Sequence, residues 1–278
     1  MPYPTAIYQR VVAVCATVAL TATAWAAPAT AVAVAVAPTP LQYVALGDSY
    51  AAGFGAEPTN DPCGRTSAGY PALLAREAHG GISMRNAACA GATTADVIRQ
   101  ASALSRRTQL VTVTAGANDL QVKQLLTTCI NRFAAVACQN DALALDRRLT
   151  AALPRDLNRM LHAVTTAAPE ARVVITGYPL PFARSRQCPG VPVAARLRTR
   201  ANQVVTRLNA AIAAAAARNR VRYVDVEPGF ARHGLCSRKP WLVGLEGLRD
   251  NRVLHPTATG QARGYLPAIA GSGLTDRA

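Results

Sequence analysis

Tyr43-Val44-Ala45-Leu46-Gly47-Asp48-Ser49-Tyr50 is the stretch around which the rest of the chain is organised. Four mostly apolar residues run into Gly-Asp-Ser, and Ala51, Ala52, Gly53, Phe54 and Gly55 follow. A short apolar run bounded by glycine predicts a buried strand that ends in a turn. In an open α/β sheet, ligands bind just outside the carboxyl ends of such strands, so Ser49 is offered to a cleft. A serine hydroxyl is a weak nucleophile until a base takes its proton. Gly-Asp-Ser alone describes equally well a turn whose Asp and Ser bond to nearby backbone. The reading therefore turns on whether the chain also supplies a base and donors for an oxyanion.

Working outward, strands and helices alternate. Pro71 opens a helical pattern over Gly69 to His79, as a first-turn proline does. Met84 to Ala88 reads as a second strand and delivers Cys89-Ala90-Gly91-Ala92-Thr93-Thr94 to a turn, with a helix from Thr94 to Leu104. The β-branched run Gln109 to Thr114 is a third strand, ending in Ala115-Gly116-Ala117-Asn118-Asp119. Ala142 to Ala168 is helical in pattern, with Pro154 kinking one helix or starting a new one. Arg172 to Thr176 and Val221 to Val226 complete five strands, separated by an Ala-rich helix from Val193 to Arg218. A final helix opens at His255-Pro256-Thr257. This order predicts a mainly parallel sheet covered by helices on both faces, in one domain over residues 38–278. The apolar loop Tyr178-Pro179-Leu180-Pro181-Phe182 either lines a pocket or packs against the core.

Residues 1–37 have the plan of a secretory signal and an Ala/Val-rich leader: Arg10, then Val11 to Ala24 without charge, then Ala24-Trp25-Ala26 as a small-x-small cleavage site. Cleavage sites up to Ala37 are also compatible with the sequence. Pro28 interrupts the run and no basic flank follows it, so a retained membrane anchor is the less favoured reading. Val14 before Cys15 disfavours lipidation. The other six cysteines, Cys63, Cys89, Cys129, Cys138, Cys188 and Cys236, form an even set, which in an exported chain predicts disulfides. Of the roughly fifteen pairings open to six cysteines, pairing of sequence neighbours (63–89, 129–138, 188–236) closes one loop region each. No C-x-x-C occurs and the four histidines are scattered, so no metal site is expected.

The formal net charge is +15, carried almost wholly by arginine. The arginines are spread along the chain and aromatics are only 5%, which argues against a nucleic-acid partner. The charge is either a solvated surface or an attraction to anionic lipid or cell wall.

Four blocks now offer chemistry. Ser49 supplies a nucleophile and His255 a base. The backbone N–H groups of Ser49 and Gly91 and the side-chain amide of Asn118 supply donors for an oxyanion. Glycine lets backbone approach a ligand closely, and an asparagine amide presents a dipole without charge. Singly, Gly91 could serve only a turn, Asn118 a helix cap, and His255 a packed surface. In order and together, Gly47-Asp48-Ser49-Tyr50, Asn86-Ala87-Ala88-Cys89-Ala90-Gly91-Ala92-Thr93, Gly116-Ala117-Asn118-Asp119 and His255-Pro256 resemble the SGNH (GDSL) hydrolases, over nearly all of Leu41 to Leu266. The resemblance implies a flavodoxin-like three-layer α/β/α sandwich, Ser49 as nucleophile, His255 as general base, an oxyanion hole of Ser49, Gly91 and Asn118, action on carboxylic esters, and no cofactor. It also implies likeness to secreted bacterial lipases and esterases with three disulfides.

One position departs from the family pattern. The Asp usual three residues before the histidine is Arg252 here. The backbone carbonyl of Arg252 then accepts from the imidazole, leaving a Ser-His dyad, or Asp250 swings in; the carbonyl is preferred because only the minus-three position matches the motif. The expectation is a secreted, monomeric esterase or lipase acting on lipid esters. A carbohydrate-ester deacetylase, an acyltransferase of the same fold, and a non-enzymatic binder of anionic surfaces are the alternatives.

Overall fold

A computed structural model describes residues 39–122, 135–185, 187–188, 191 and 193–276. The proposed leader, Cys129 and the side chain of Cys138 lie outside the described residues. Those described belong to one compact unit, and among them no helix is long and apolar enough to cross a membrane.

Five strands form one sheet: β1 (Leu41–Gly47), β2 (Ile82–Asn86), β3 (Leu110–Thr114), β4 (Arg172–Thr176) and β5 (Arg222–Val224). Their spatial order is β2-β1-β3-β4-β5 and every neighbouring pair is parallel. This is the flavodoxin-type order, in which the chain reverses its winding between the first and third strands. Gly47 at the end of β1 lies in register with Thr114 at the end of β3, so the crevice of that reversal opens beside Ser49.

Alternation along the strands divides the core into two faces. Val44, Leu46, Val111, Val113 and Ile175 face one layer, built from α3 (Thr94–Gln100), α5 (Leu153–Ala167) and α6 (Ala195–Arg218). Tyr43, Ala45, Leu110, Val174 and Val224 face the other, built from α2 (Tyr70–Glu77) and the helical run 258–270. Buried threonines on this second face are satisfied by hydroxyl pairs: Tyr43 with Thr112 at 2.7 Å, Tyr70 with Thr114 at 2.9 Å, and Thr114 with Thr176 at 2.7 Å.

Element boundaries shift where side chains intervene. The second strand ends at Asn86 rather than Ala88, because Asn86 Oδ1 accepts the N–H of Ala88 at 3.0 Å and turns the backbone. The long helical pattern before β4 is two helices, α4 (Ala135–Arg147) and α5, joined by a widened π turn at Arg148–Ala152. Pro154, without an N–H to donate backward, stands in the first turn of α5. The final helix begins at Ala258, capped by the Thr257 side chain, so His255 sits in the turn before it. Tyr178 and Phe182 are 3% and 9% exposed and belong to the two cores, so their loop packs rather than lining a pocket.

Gly47 has φ +129°, and a Cβ there would stand 2.2 Å from the Thr114 carbonyl oxygen. Gly80 has φ +86° with nothing within 4 Å of such a Cβ. Gly47→Ala therefore loses the roughly 1–3 kcal/mol of a strained backbone plus the clash, whereas Gly80→Ala loses only the backbone part. Urea unfolding midpoints are expected to fall much further for Gly47→Ala; equal shifts would contradict this packing.

Candidate active site

The nucleophile block follows β1. Asp48 is the N-cap of α1 (Ser49–Ala52), a single turn closed by Gly53 in left-handed conformation. The Asp48 carboxylate accepts the Tyr50 N–H at 2.9 Å. Ser49 stands at the first helical position, where backbone N–H groups have no partner within the helix. Gly47 is clasped by Gln100, whose side chain accepts the Gly47 N–H at 2.7 Å and donates to the Gly47 carbonyl at 2.9 Å.

The glycine block follows β2 and is tied to the nucleophile block. The Cys89 N–H donates to the Gly47 carbonyl at 3.0 Å. Cys63 and Cys89 form a disulfide, and the Ala90 N–H donates to the Cys63 carbonyl at 2.8 Å. Gly91, exposed and at φ +83°, is the bend of this loop. A second disulfide joins Cys188 and Cys236. The asparagine block follows β3 and locks onto the glycine block: Asn118 Nδ2 donates to the Ala92 carbonyl at 2.9 Å, leaving its second amide hydrogen for another acceptor. Asp119 accepts from the Thr94 N–H at 3.0 Å and the Thr94 hydroxyl at 2.6 Å, fastening the start of α3 to the same place.

The base comes from the far end of the chain. His255 Nε2 lies 2.7 Å from Ser49 Oγ. With the ring proton on Nδ1, Nε2 accepts from the serine hydroxyl. The turn carrying the imidazole is held on several sides. The Val243 N–H donates to the His255 carbonyl at 2.8 Å, and the His255 N–H donates to the Arg252 carbonyl at 3.0 Å. The Tyr50 hydroxyl donates to the Leu254 carbonyl at 2.8 Å, pinning a residue at φ +67°. The imidazole packs against the rings of Phe54 and Tyr50, with centroids 5.0 and 5.4 Å away. Gln261 is fully buried; it accepts the Tyr70 N–H at 3.0 Å and donates to the Tyr50 carbonyl at 3.1 Å, binding the C-terminal run to the nucleophile turn.

Among the described residues Nδ1 of His255 has no partner in hydrogen-bond geometry. Burial lowers the imidazole pKa from its ordinary value, and the dipoles of the nearby Arg252 and Val253 backbone carbonyls oppose that. Asp250 lies elsewhere: its carboxylate accepts from Arg252 Nε at 2.7 Å, and that bond holds its pKa below the usual value. Asp48, 1% exposed, has its pKa pushed up to about 7 by burial, against the bonds from Tyr178 and Tyr50.

All four blocks singled out from the sequence are thus bonded into one cluster at the sheet edge. Sequence reasoning gave Tyr50, Gln100, Gln261 and Tyr178 no part in holding these blocks in place. Tyr50 was read only as a member of the nucleophile block and Tyr178 only as a member of an apolar loop; Gln100 and Gln261 are distant residues that only the packing brings in.

The chain matches the model of the GDSL-like Lipase/Acylhydrolase family over residues 45–263. It is 36% identical over 231 residues to a lipase from Streptomyces rimosus, covering 82% of this chain and 85% of that one. The crystal structure of an extracellular lipase from S. rimosus superposes with a TM-score of 0.77 at 35% identity, covering 83% of this chain and 99% of that one. That of phospholipase A1 from Streptomyces albidoflavus superposes with a TM-score of 0.75 at 34% identity, covering 84% and 99%.

A protonated imidazole cannot take the serine proton, so activity falls as pH drops through the His255 pKa. Since burial lowers that pKa, the acid limb of the kcat/KM profile is expected to have its midpoint below that of an ordinary exposed imidazole, in wild type and in Asp48→Asn alike. A midpoint above the ordinary imidazole value would contradict the site described.

Proposed function

The chain belongs to the GDSL-like lipase/acylhydrolase family, and from that premise we propose that it is a secreted hydrolase of lipid esters whose acyl-enzyme forms on Ser49 with His255 as the base. The observation that carries the reading is the 2.7 Å contact between Ser49 Oγ and His255 Nε2. Ser49 Oγ attacks the ester carbonyl carbon while its proton passes to Nε2. The carbonyl oxygen becomes an oxyanion, met by the N–H groups of Ser49 and Gly91 and the Asn118 amide. Collapse breaks the bond to the alkoxide, which leaves with the proton from Nε2. Water then attacks the acyl-Ser49 carbonyl and gives a proton to the same nitrogen; the second collapse breaks the bond to Ser49 Oγ, which takes that proton from Nε2, and releases the acid.

The backbone at Arg252, rather than Asp250, orients the imidazole in this scheme. The Arg252 carbonyl already holds the backbone N–H of His255 at 3.0 Å, which keeps it beside the residue that carries the ring. Catalytic bonds that are loose in a free enzyme tighten as the imidazolium forms. The Asp250 carboxylate is engaged by the Arg252 guanidinium.

Lipid esters are the favoured substrate because relatives at about 35% identity over most of the chain are named lipase and phospholipase A1. Removal of a leader at or before Ala37, which takes Arg10 with it, action as a monomer and attraction of the remaining net positive charge to anionic lipid complete the proposal. The disulfides at 63–89 and 188–236 accord with an oxidising compartment.

Ser49→Ala is expected to cut turnover of a p-nitrophenyl ester by about 10³-fold or more, with circular dichroism unchanged. Near-normal turnover would overturn the assignment. Asp250→Ala is expected to leave kcat within about threefold of wild type while His255→Ala abolishes it; equal losses would move the orienting role to Asp250. Hydrolysis should favour long acyl esters and phospholipid over p-nitrophenyl acetate and acetyl-xylan. The reverse order would make the chain a deacetylase.

A further inference from the structure

Tyr178 lies just past the end of β4, away from the four blocks in sequence, yet its hydroxyl touches two of them. It donates to Asp48 Oδ2 at 2.5 Å and accepts the Ala117 N–H at 3.3 Å. Asp48 is the residue before Ser49, and Ala117 the residue before Asn118. One oxygen therefore stands between the turns that carry two of the three oxyanion donors.

The ring is fixed at its other end as well. Asn209, buried on α6, accepts the Tyr178 N–H at 2.9 Å and donates to the Tyr178 carbonyl at 2.8 Å. Asn209 is itself held by Glu227 at 2.7 Å. The ring packs edge-on against Tyr50 with centroids 5.0 Å apart, and Tyr178 is 3% exposed. A phenol so anchored cannot follow either turn, so the turns take their places from it. At 2.5 Å the bond to Asp48 is the closer of the two, which suits a spacer.

We infer that Tyr178 is a positioning residue for ester hydrolysis, its hydroxyl setting the distance between the Ser49 N–H and the Asn118 amide so that both reach one oxyanion. The inference rests on reading Ser49 as the nucleophile. Its consequence is specific: the hydroxyl acts on the transition state and leaves ground-state binding of the ester alone. A bond that merely held the core together would lower the unfolding temperature without separating kcat from KM.

Tyr178→Phe removes the hydroxyl and keeps the ring. Its kcat on a short p-nitrophenyl ester is expected to fall about 10- to 100-fold, with KM within about twofold of wild type, and fluorophosphonate labelling of Ser49 should slow in proportion. In an Asn118→Ala background the same change should cost clearly less, because one of the two spaced donors is gone. Asp48→Asn is the second variant, in case Tyr178→Phe does not fold. Its amide keeps Oδ1 for the Tyr50 N–H and sets an NH2, which accepts nothing, against the Tyr178 hydroxyl in place of Oδ2; kcat should again fall with KM unchanged. A Tyr178→Phe kcat within twofold of wild type, or equal losses in the two backgrounds, would overturn the inference. Wild type that labels on Ser49 while Tyr178→Phe labels as fast would sink only this proposal. Wild type that does not label on Ser49 would sink the nucleophile assignment beneath it.

Discussion

The hydrogen bond between Ser49 Oγ and His255 Nε2 joins residues 206 positions apart, and the fold is arranged so that it can form. A parallel sheet sends every strand's carboxyl end to the same edge. The reversal between β1 and β3 opens a crevice there, with Gly47 and Thr114 side by side. β1 delivers Ser49, β2 delivers Gly91 and β3 delivers Asn118. The histidine comes from a turn before the last helical run, fastened back to the first strand's end through Gln261 and Tyr50.

Precision at this edge comes from residues that do no chemistry. Asp48, Gln100, Asp119 and Gln261 each bond to backbone at a block boundary, and Asn209 bonds to the backbone of Tyr178. Such groups are stiff anchors, because a buried donor or acceptor left unpaired costs about 1–3 kcal/mol. On the proposed mechanism these anchors keep the Ser49, Gly91 and Asn118 donors in place before substrate arrives, which is what electrostatic stabilisation of an oxyanion requires. The imidazole is the exception: where the family usually has a carboxylate, Arg252 stands, and the ring packs against Tyr50 and Phe54 on a turn held by its own backbone bonds.

Much of this was legible in the sequence. The five strands and their parallel order followed from apolar and β-branched runs alternating with helical patterns. Two of the neighbouring cysteine pairs, 63–89 and 188–236, are bonded as expected, while the third pair lies outside the described residues. Boundaries were less legible because single side chains decide them: Asn86 bends the second strand early, and Pro154 widens the helix before it into a π turn. The nucleophile, glycine, asparagine and histidine blocks stood out because each is a short motif with its own chemistry. The roles of Tyr178 and Gln261 did not: Tyr178 showed only as part of an apolar loop, and a glutamine in a helix carries no local mark. Their roles exist only through partners 130 and 191 residues away.

The account's central claim is that one oxyanion is met by donors from three strand ends while the imidazole faces the serine oxygen. A crystal structure of the protein inactivated with an alkyl phosphonate tests it most directly, because the phosphoryl oxygen stands in for that oxyanion. The account predicts phosphorus bonded to Ser49 Oγ, with the phosphoryl oxygen about 2.7–3.1 Å from the Ser49 and Gly91 nitrogens and Asn118 Nδ2. An adduct on another residue, or a phosphoryl oxygen turned to solvent away from Gly91 and Asn118, would contradict it.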